Sequence, residues 1–195
     1  MKGEAEPPGA APAGAEPAEA ESVGAGPAGT AFEAQAGSGP DAAAATPVAR
    51  PAIIPGHVLD EVIDWSRRGY PNEACGMLAG DRFHQSGGAA TWFLGLTNEA
   101  RSPLRYRIEA TEQLRAMTAI EDADEELWAI VHSHVRSPAI PSPTDIRQAA
   151  LPGGSPAFPG TLYLLCSLAD MNAPVVRAWR IVGSTVEEIP IEVEP

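Results

Sequence analysis

Apolar residues recur at helical spacing from His57 to Arg68, where Val58, Leu59, Val62, Ile63 and Trp65 make one stripe, and Gly69-Tyr-Pro71 ends the run. Ala74 to Gly80 is a short apolar segment bounded by glycine and predicts a strand. The polar, Gly-rich stretch Asp81 to Ala90 predicts a loop. Thr91–Thr97 and Leu104–Ile108 are strand candidates on either side of a loop, Asn98–Pro103. Thr111 then caps a predicted helix reaching about Ala123, with Leu114, Met117 and Ile120 on one face. Leu127–Val131 reads as a buried strand, and Ser142-Pro143 opens a helix that Pro152 and Gly153-Gly154 stop near Leu151. Thr161–Leu168, Val175–Val182 and Thr185–Ile189 predict three closing strands. This order of elements is that of an α/β domain with a central mixed sheet, and no internal repeat interrupts it.

The first fifty residues lack any such pattern. Met1 to Arg50 are mostly Ala, Gly, Pro and Glu with Phe32 as the single aromatic, a composition that buries too little surface to offset its ordering entropy. A disordered tail over 1–50 and one domain over 51–195 is the expected organisation. Seven acids in the tail (Glu4, Glu6, Glu16, Glu19, Glu21, Glu33, Asp41) against Lys2 and Arg50 leave it at −5, and the domain at −8 of the chain's −13.

An acidic domain with no basic stripe argues against binding along a nucleic-acid backbone. No basic start precedes a 7–15-residue apolar core, so no signal peptide is expected, and nothing approaches the ~18 apolar residues of a membrane span. Cys75 and Cys166 sit in apolar contexts without CxxC spacing. They are expected to be reduced core residues of a cytoplasmic protein.

The chemistry concentrates where the strand at Leu127–Val131 runs into His132-Ser-His134. Residues at i and i+2 of a strand share a face, so both imidazoles leave on one side. Such a pair is either two satisfied polar residues or two ligands of a metal ion. Ser142-Pro-Thr-Asp145 also carries two readings. It is an N-cap with Pro at N1 and an acid at N3, and it could at the same time aim Asp145 at a metal held by the histidines. Glu73, ahead of the strand at Ala74, is either a solvated acid in a turn or the proton acceptor that a metal-activated water would need. His57, at a helix start, and His84, in a polar loop, are expected at the surface.

Glu73, His132-x-His134 and, after seven residues, Ser142-x-x-Asp145 together match the signature of the JAMM (MPN+) metalloproteases. Glu73-Ala-Cys-Gly-Met-Leu-Ala-Gly80 resembles that family's first strand. Asn98-Glu-Ala-Arg-Ser-Pro, Tyr106-Arg-Ile, Glu112-Gln-Leu, Glu121-Asp-Ala-Asp124, Ser167-Leu-Ala-Asp170 and Arg177-Ala-Trp-Arg-Ile181 resemble its short bacterial members, above all the mycobacterial type that trims cysteine from a sulfur-carrier protein. The likeness spans about residues 53–192. The chain departs from it in the N-terminal tail and in the Pro/Gly-rich stretch Leu151–Gly160, at the rim where a substrate would dock.

The resemblance implies a single MPN/JAMM domain with a cytidine-deaminase-like mixed central sheet and flanking helices. It implies one zinc ion per chain on His132, His134 and Asp145, lowering the pKa of a bound water, with Glu73 moving its proton and Ser142 stabilising the oxyanion. The implied substrate is a ubiquitin-like sulfur carrier ending in Gly-Gly, from which cysteine is released by amide hydrolysis, with neither nucleic acid nor membrane as partner and a homodimer left open. Two other readings within the family are cleavage of other ubiquitin-like conjugates at an isopeptide bond and a non-catalytic MPN scaffold. The scaffold reading is disfavoured because all five signature positions are filled. A zinc nucleobase deaminase would need H-x-E with P-C-x-x-C, and neither is present.

Overall fold

A computed structural model describes residues 49–195; the segment expected as a disordered tail lies, up to residue 48, outside the described residues. The elements in chain order are β1 (Ala52–Pro55), α1 (Gly56–Gly69), β2 (Cys75–Gly80), β3 (Ala90–Leu96), α2 (Ala110–Asp122), β4 (Glu126–His134), α3 (Pro143–Gln148), β5 (Leu162–Ser167), β6 (Val175–Val182), β7 (Thr185–Ile189) and β8 (Ile191–Glu194). Six strands form one mixed sheet in the order β3-β2-β4-β5-β6-β7, with only the central β4–β5 pair parallel. β1 and β8 make a separate two-stranded parallel pair that joins the two ends of the domain.

Both faces of the sheet are covered, which is why β2, β4 and β5 are almost continuously buried runs rather than alternating ones. On one face Val58 and Val62 of α1 pack with Leu78, Ala129, Val131, Leu162 and Leu164. On the other, Ala116 and Ile120 of α2 pack on Met77 and Ala79, while Ile130 joins Tyr163, Leu165 and Trp179 beside α3. Each large aliphatic side chain buried in this way contributes about 1.5–3 kcal/mol. Trp65 fixes the C-terminal end of α1 over the sheet: its ring lies against Gly95, where an added Cβ would collide with it, and its indole N–H donates to the Cys75 carbonyl at 2.9 Å. Residues 70–74 are thereby delivered to the end of β4.

Several sequence expectations are revised. Leu104–Ile108 is not a strand. Only an isolated bridge joins Asn98 to Ile108, Leu104 is 84% exposed, and the Asn98 side chain takes the place of a ladder. Its amide donates to the carbonyls of Glu73 and Arg105, and its oxygen accepts from the N–H groups of Ala100 and Arg107. The cap of α2 is Glu109 rather than Thr111, its carboxylate accepting from the N–H groups of Thr111 and Glu112. On α2 the buried stripe is Ala116 and Ile120, whereas Leu114 is 65% exposed. α3 ends at Gln148, short of Leu151, and β4 runs on through both histidines instead of stopping at Val131.

His84 is buried, not at the surface: its ring meets the carbonyls of Arg50 and Pro51 and the Arg180 guanidinium, and packs edge-on to Trp128. His57 is exposed as expected. Cys75 and Cys166 are free and buried, and burial pushes the Cys75 thiol up to about 12. Among the described residues no helix is long and apolar enough to cross a membrane.

Candidate metal centre

Register sets the site. Cys75 pairs with His132 across the antiparallel β2–β4 ladder, so Glu73, two residues earlier, comes level with His134 two residues later. His132 and His134 share the sheet face that carries Ile130, while Ser133 points to the opposite face. Ser133 is fully buried there, and its hydroxyl accepts from the Ala74 N–H at 2.8 Å while its own N–H donates to the Ala74 carbonyl. The residue between the two histidines therefore clamps the segment bearing Glu73 to the strand that bears them. Ser133→Ala leaves the buried Ala74 N–H without an acceptor and is expected to lower stability by about 1–3 kcal/mol, read from urea unfolding.

Asp145 arrives on the first turn of α3. Ser142 is the N-cap and the capping box is complete: the Ser142 hydroxyl accepts from the Asp145 N–H at 3.2 Å, and the Asp145 carboxylate accepts from the Ser142 N–H at 2.6 Å. The cap and the cluster are one construction. From the capped turn the two Asp145 oxygens reach His132 Nε2 and His134 Nε2, each at 3.5 Å, and the two Nε2 atoms lie 3.3 Å apart.

Those three separations test whether a metal ion fits. Ligands bound to zinc at about 2.0–2.1 Å in a tetrahedron stand roughly 3.3–3.4 Å from one another; the two Nε2 atoms have that spacing, and each has a different Asp145 oxygen 3.5 Å away. The tautomer agrees. His134 Nδ1 lies 2.7 Å from the Pro138 carbonyl, which can only accept, so Nδ1 carries a proton and in the neutral ring Nε2 turns its lone pair to the cluster. His132 is held differently. Its Nδ1 is buried without a partner among the described residues, and the ring instead stacks on Tyr106, with centroids 4.4 Å apart and planes at 22°.

The electrostatics follow from burial and proximity. Burial drives His132 toward its neutral, ligating form. For Asp145 burial works upward, but the two imidazoles beside it and the Ser142 N–H outweigh it and hold the carboxyl well below the usual carboxylate range. Glu73 is 6% exposed, and burial raises its carboxyl from the ordinary 4.5 to about 7, with His134 opposing the shift and Asp145 adding to it. A carboxyl poised near neutrality is suited to taking and returning a proton.

Glu73, His134 and Ser142 all face one open cleft of about 670 Å³, with Leu104 and Arg136 on its lips. The Ser142 hydroxyl accepts from the Asp145 N–H, so its own O–H is free to donate into that cleft.

Residues 55–182 match the family described as prokaryotic homologs of the JAB domain. The chain belongs to that family. Within the JAB-domain family it is 36% identical over 141 residues to the CysO-cysteine peptidase of Mycobacterium tuberculosis, covering 72% of this chain and 90% of that protein. It is 32% identical over 112 residues to the desampylase of Haloferax volcanii, covering 55% of this chain and 74% of that protein. Among solved structures, the solution structure of a protein from Desulfitobacterium hafniense superposes with a TM-score of 0.62 at 29% identity, over 73% of this chain and 92% of the other. These likenesses bear out the JAMM resemblance and the single α/β domain with a mixed sheet.

The five sequence-derived residues converge: His132, His134 and Asp145 form one buried cluster, and Glu73 and Ser142 line the cleft beside it. Sequence reasoning missed Ser133, Pro138, Asn98 and Tyr106, which act through backbone groups or ring stacking. Of these, only Tyr106 and Asn98 left a trace in the sequence, as parts of the motifs that carry the family likeness.

Proposed function

We propose that this domain is a zinc metallopeptidase that hydrolyses the amide bond after the C-terminal Gly-Gly of a ubiquitin-like sulfur-carrier protein and releases cysteine. The observation that carries the reading is the buried His132–His134–Asp145 cluster, its two Nε2 atoms 3.3 Å apart with an Asp145 oxygen 3.5 Å from each, beside a cleft lined by a carboxyl raised to about 7. The substrate is argued from the similarity to the mycobacterial CysO-cysteine peptidase, which extends over 90% of that protein. The residues that would hold the one ion per chain are His132, His134 and Asp145. A zinc ion bound there supplies Lewis acidity, making water acidic at neutral pH and polarising the scissile carbonyl.

The chain's own residues do the rest. Glu73 takes a proton from the attacking water and passes it to the departing amine as the C–N bond breaks, and the water oxygen stays on the glycine carbonyl carbon. Ser142 donates its O–H to the oxygen on which charge develops. Two terminal glycines let the substrate backbone approach the cluster closely in the cleft that Leu104 helps to line. The free, buried cysteines agree with a reducing, cytoplasmic setting.

Incubating the zinc-loaded protein with a carrier bearing C-terminal cysteine is expected to release cysteine and the intact carrier. Absence of released cysteine would sink the reading. A second reading, cleavage of ubiquitin-like conjugates at an isopeptide bond, draws on the similarity to the desampylase. It predicts that lysine-linked adducts turn over at least as fast as the cysteine adduct.

A further inference from the structure

The cleft carries one unanswered positive charge. Of the residues that line it, Arg136 is the single arginine, and it makes no ion pair among the described residues. Arg67, Arg82, Arg107, Arg177 and Arg180 face carboxylates; Arg136 is one of the seven other arginines of the described residues that do not, and its place in the cleft sets it apart. An unpaired arginine that lines the same cleft as the proton-transfer group is available for an anion that arrives with the substrate.

The loop that presents it is fixed on both sides. The Ser137 carbonyl accepts from the Ser167 hydroxyl at 2.7 Å, the Pro138 carbonyl from His134 Nδ1 at 2.7 Å, and the Ala139 carbonyl from the Trp179 indole at 2.9 Å. Val135 and Ala139 are buried on either side of it. The backbone at Arg136 thus needs no ordering on binding, so an ion pair formed there is not offset by loop entropy.

The chemistry of the leaving group supplies the anion. Glu73 returns its proton to the departing nitrogen, so that nitrogen lies beside Glu73 in the cleft. If the leaving group is a single amino acid, one carbon separates this nitrogen from a free carboxylate, which then falls inside the same cleft. A lysine side chain of a folded protein brings no charge to that place. We propose that Arg136 is a specificity-determining residue that binds the free α-carboxylate of the leaving amino acid. The site accordingly releases single C-terminal residues in preference to cutting bonds to lysine side chains. This rests on the peptidase reading above and goes further by fixing what the leaving group must carry. A guanidinium accepts a carboxylate with two parallel hydrogen bonds, which an uncharged amide cannot reproduce.

The test compares two substrates, the CysO protein extended by cysteine and the same protein extended by cysteinamide, on the zinc-loaded full chain. Wild type is expected to favour the free acid in kcat/KM by about tenfold or more. Arg136→Ala is expected to bring the ratio to within about twofold, and Arg136→Lys to keep part of it, with zinc content and melting temperature measured to show that each variant is folded. Arg68→Ala, in a neighbouring cavity of about 210 Å³ that shares Asn72 and Glu73 with the cleft, is expected to keep the wild-type ratio. Equal rates on both adducts in wild type, or a preference that survives Arg136→Ala, overturn the proposal alone. Cleavage of neither adduct, to cysteine or to cysteinamide, overturns the peptidase reading and this proposal with it.

Discussion

Glu73→Gln is expected to keep zinc and lose hydrolysis, with kcat falling by about 10²–10⁴-fold while metal content stays at one ion per chain. The amide keeps the size and the backbone contacts of Glu73, its N–H to Ser102 and its carbonyl to Asn98, but it accepts no proton from water. The pH profile gives a second readout. Glu73 acts as a base only when ionised, and burial sets its carboxyl at about 7. The wild-type kcat/KM should therefore rise with pH along a limb with its midpoint at or below about 7, since a bound cation lowers it further. The variant's residual activity should lack that limb.

Stability shifts the opposite way. The folded-state value lies above the ordinary 4.5, so the contribution of Glu73 to stability is fully present below 4.5 and is lost as pH rises through about 7. In the metal-free protein at pH 8 the ionised, buried carboxylate costs on the order of 2–3 kcal/mol, and Glu73→Gln removes that cost. The metal-free variant should melt above wild type at pH 8 and level with it near pH 4. Full activity in Glu73→Gln would remove this residue from the mechanism.

Asp145→Ala is expected to weaken zinc binding by more than about 100-fold and to destabilise even the metal-free fold by about 1–2 kcal/mol. Both effects come from one carboxylate, which faces both Nε2 atoms and accepts the Ser142 N–H that opens α3. Ser142→Ala separates them. It removes the hydroxyl side of the cap, at about 1 kcal/mol, and leaves all three metal-facing atoms in place. Chelator competition measures the affinity, and thermal unfolding with and without chelator measures the coupling, because a ligand that binds only the folded state raises its melting temperature. A wild-type melting temperature indifferent to chelator would count against a metal at this cluster.

The sequence carried the local terms. The α1 stripe, the buried runs of β2, β4 and β5, and the Ser142-Pro-Thr-Asp145 cap each follow from spacing within a few residues, and the structure forms each of them. The i,i+2 spacing of His132 and His134 put both rings on one face, and that too is a local property of a strand. Misreadings arose where tertiary partners overrule local pattern. Leu104–Ile108 looked like a strand, but Asn98 satisfies the backbone there and Tyr106 is drawn onto the His132 ring. His84 looked like a loop residue, but carbonyls from the start of the domain and Arg180 from β6 enclose it. Leu114 fitted a helical stripe, yet α2 is rotated so that Ala116 and Ile120 face the sheet.

By itself, then, the sequence determined the class of fold, the covered sheet and the identity of five chemically capable side chains, because periodicity, capping and side-chain chemistry act over short stretches of chain. Only the tertiary structure decided that these five meet. The Cys75–His132 register brings Glu73 level with His134, the fully buried Ser133 hydroxyl ties the two strands together, and the capped turn of α3 carries Asp145 to within 3.5 Å of both rings. Those are contacts across 59 and 11 or more residues of chain, set by strand pairing and burial, and no local pattern encodes them.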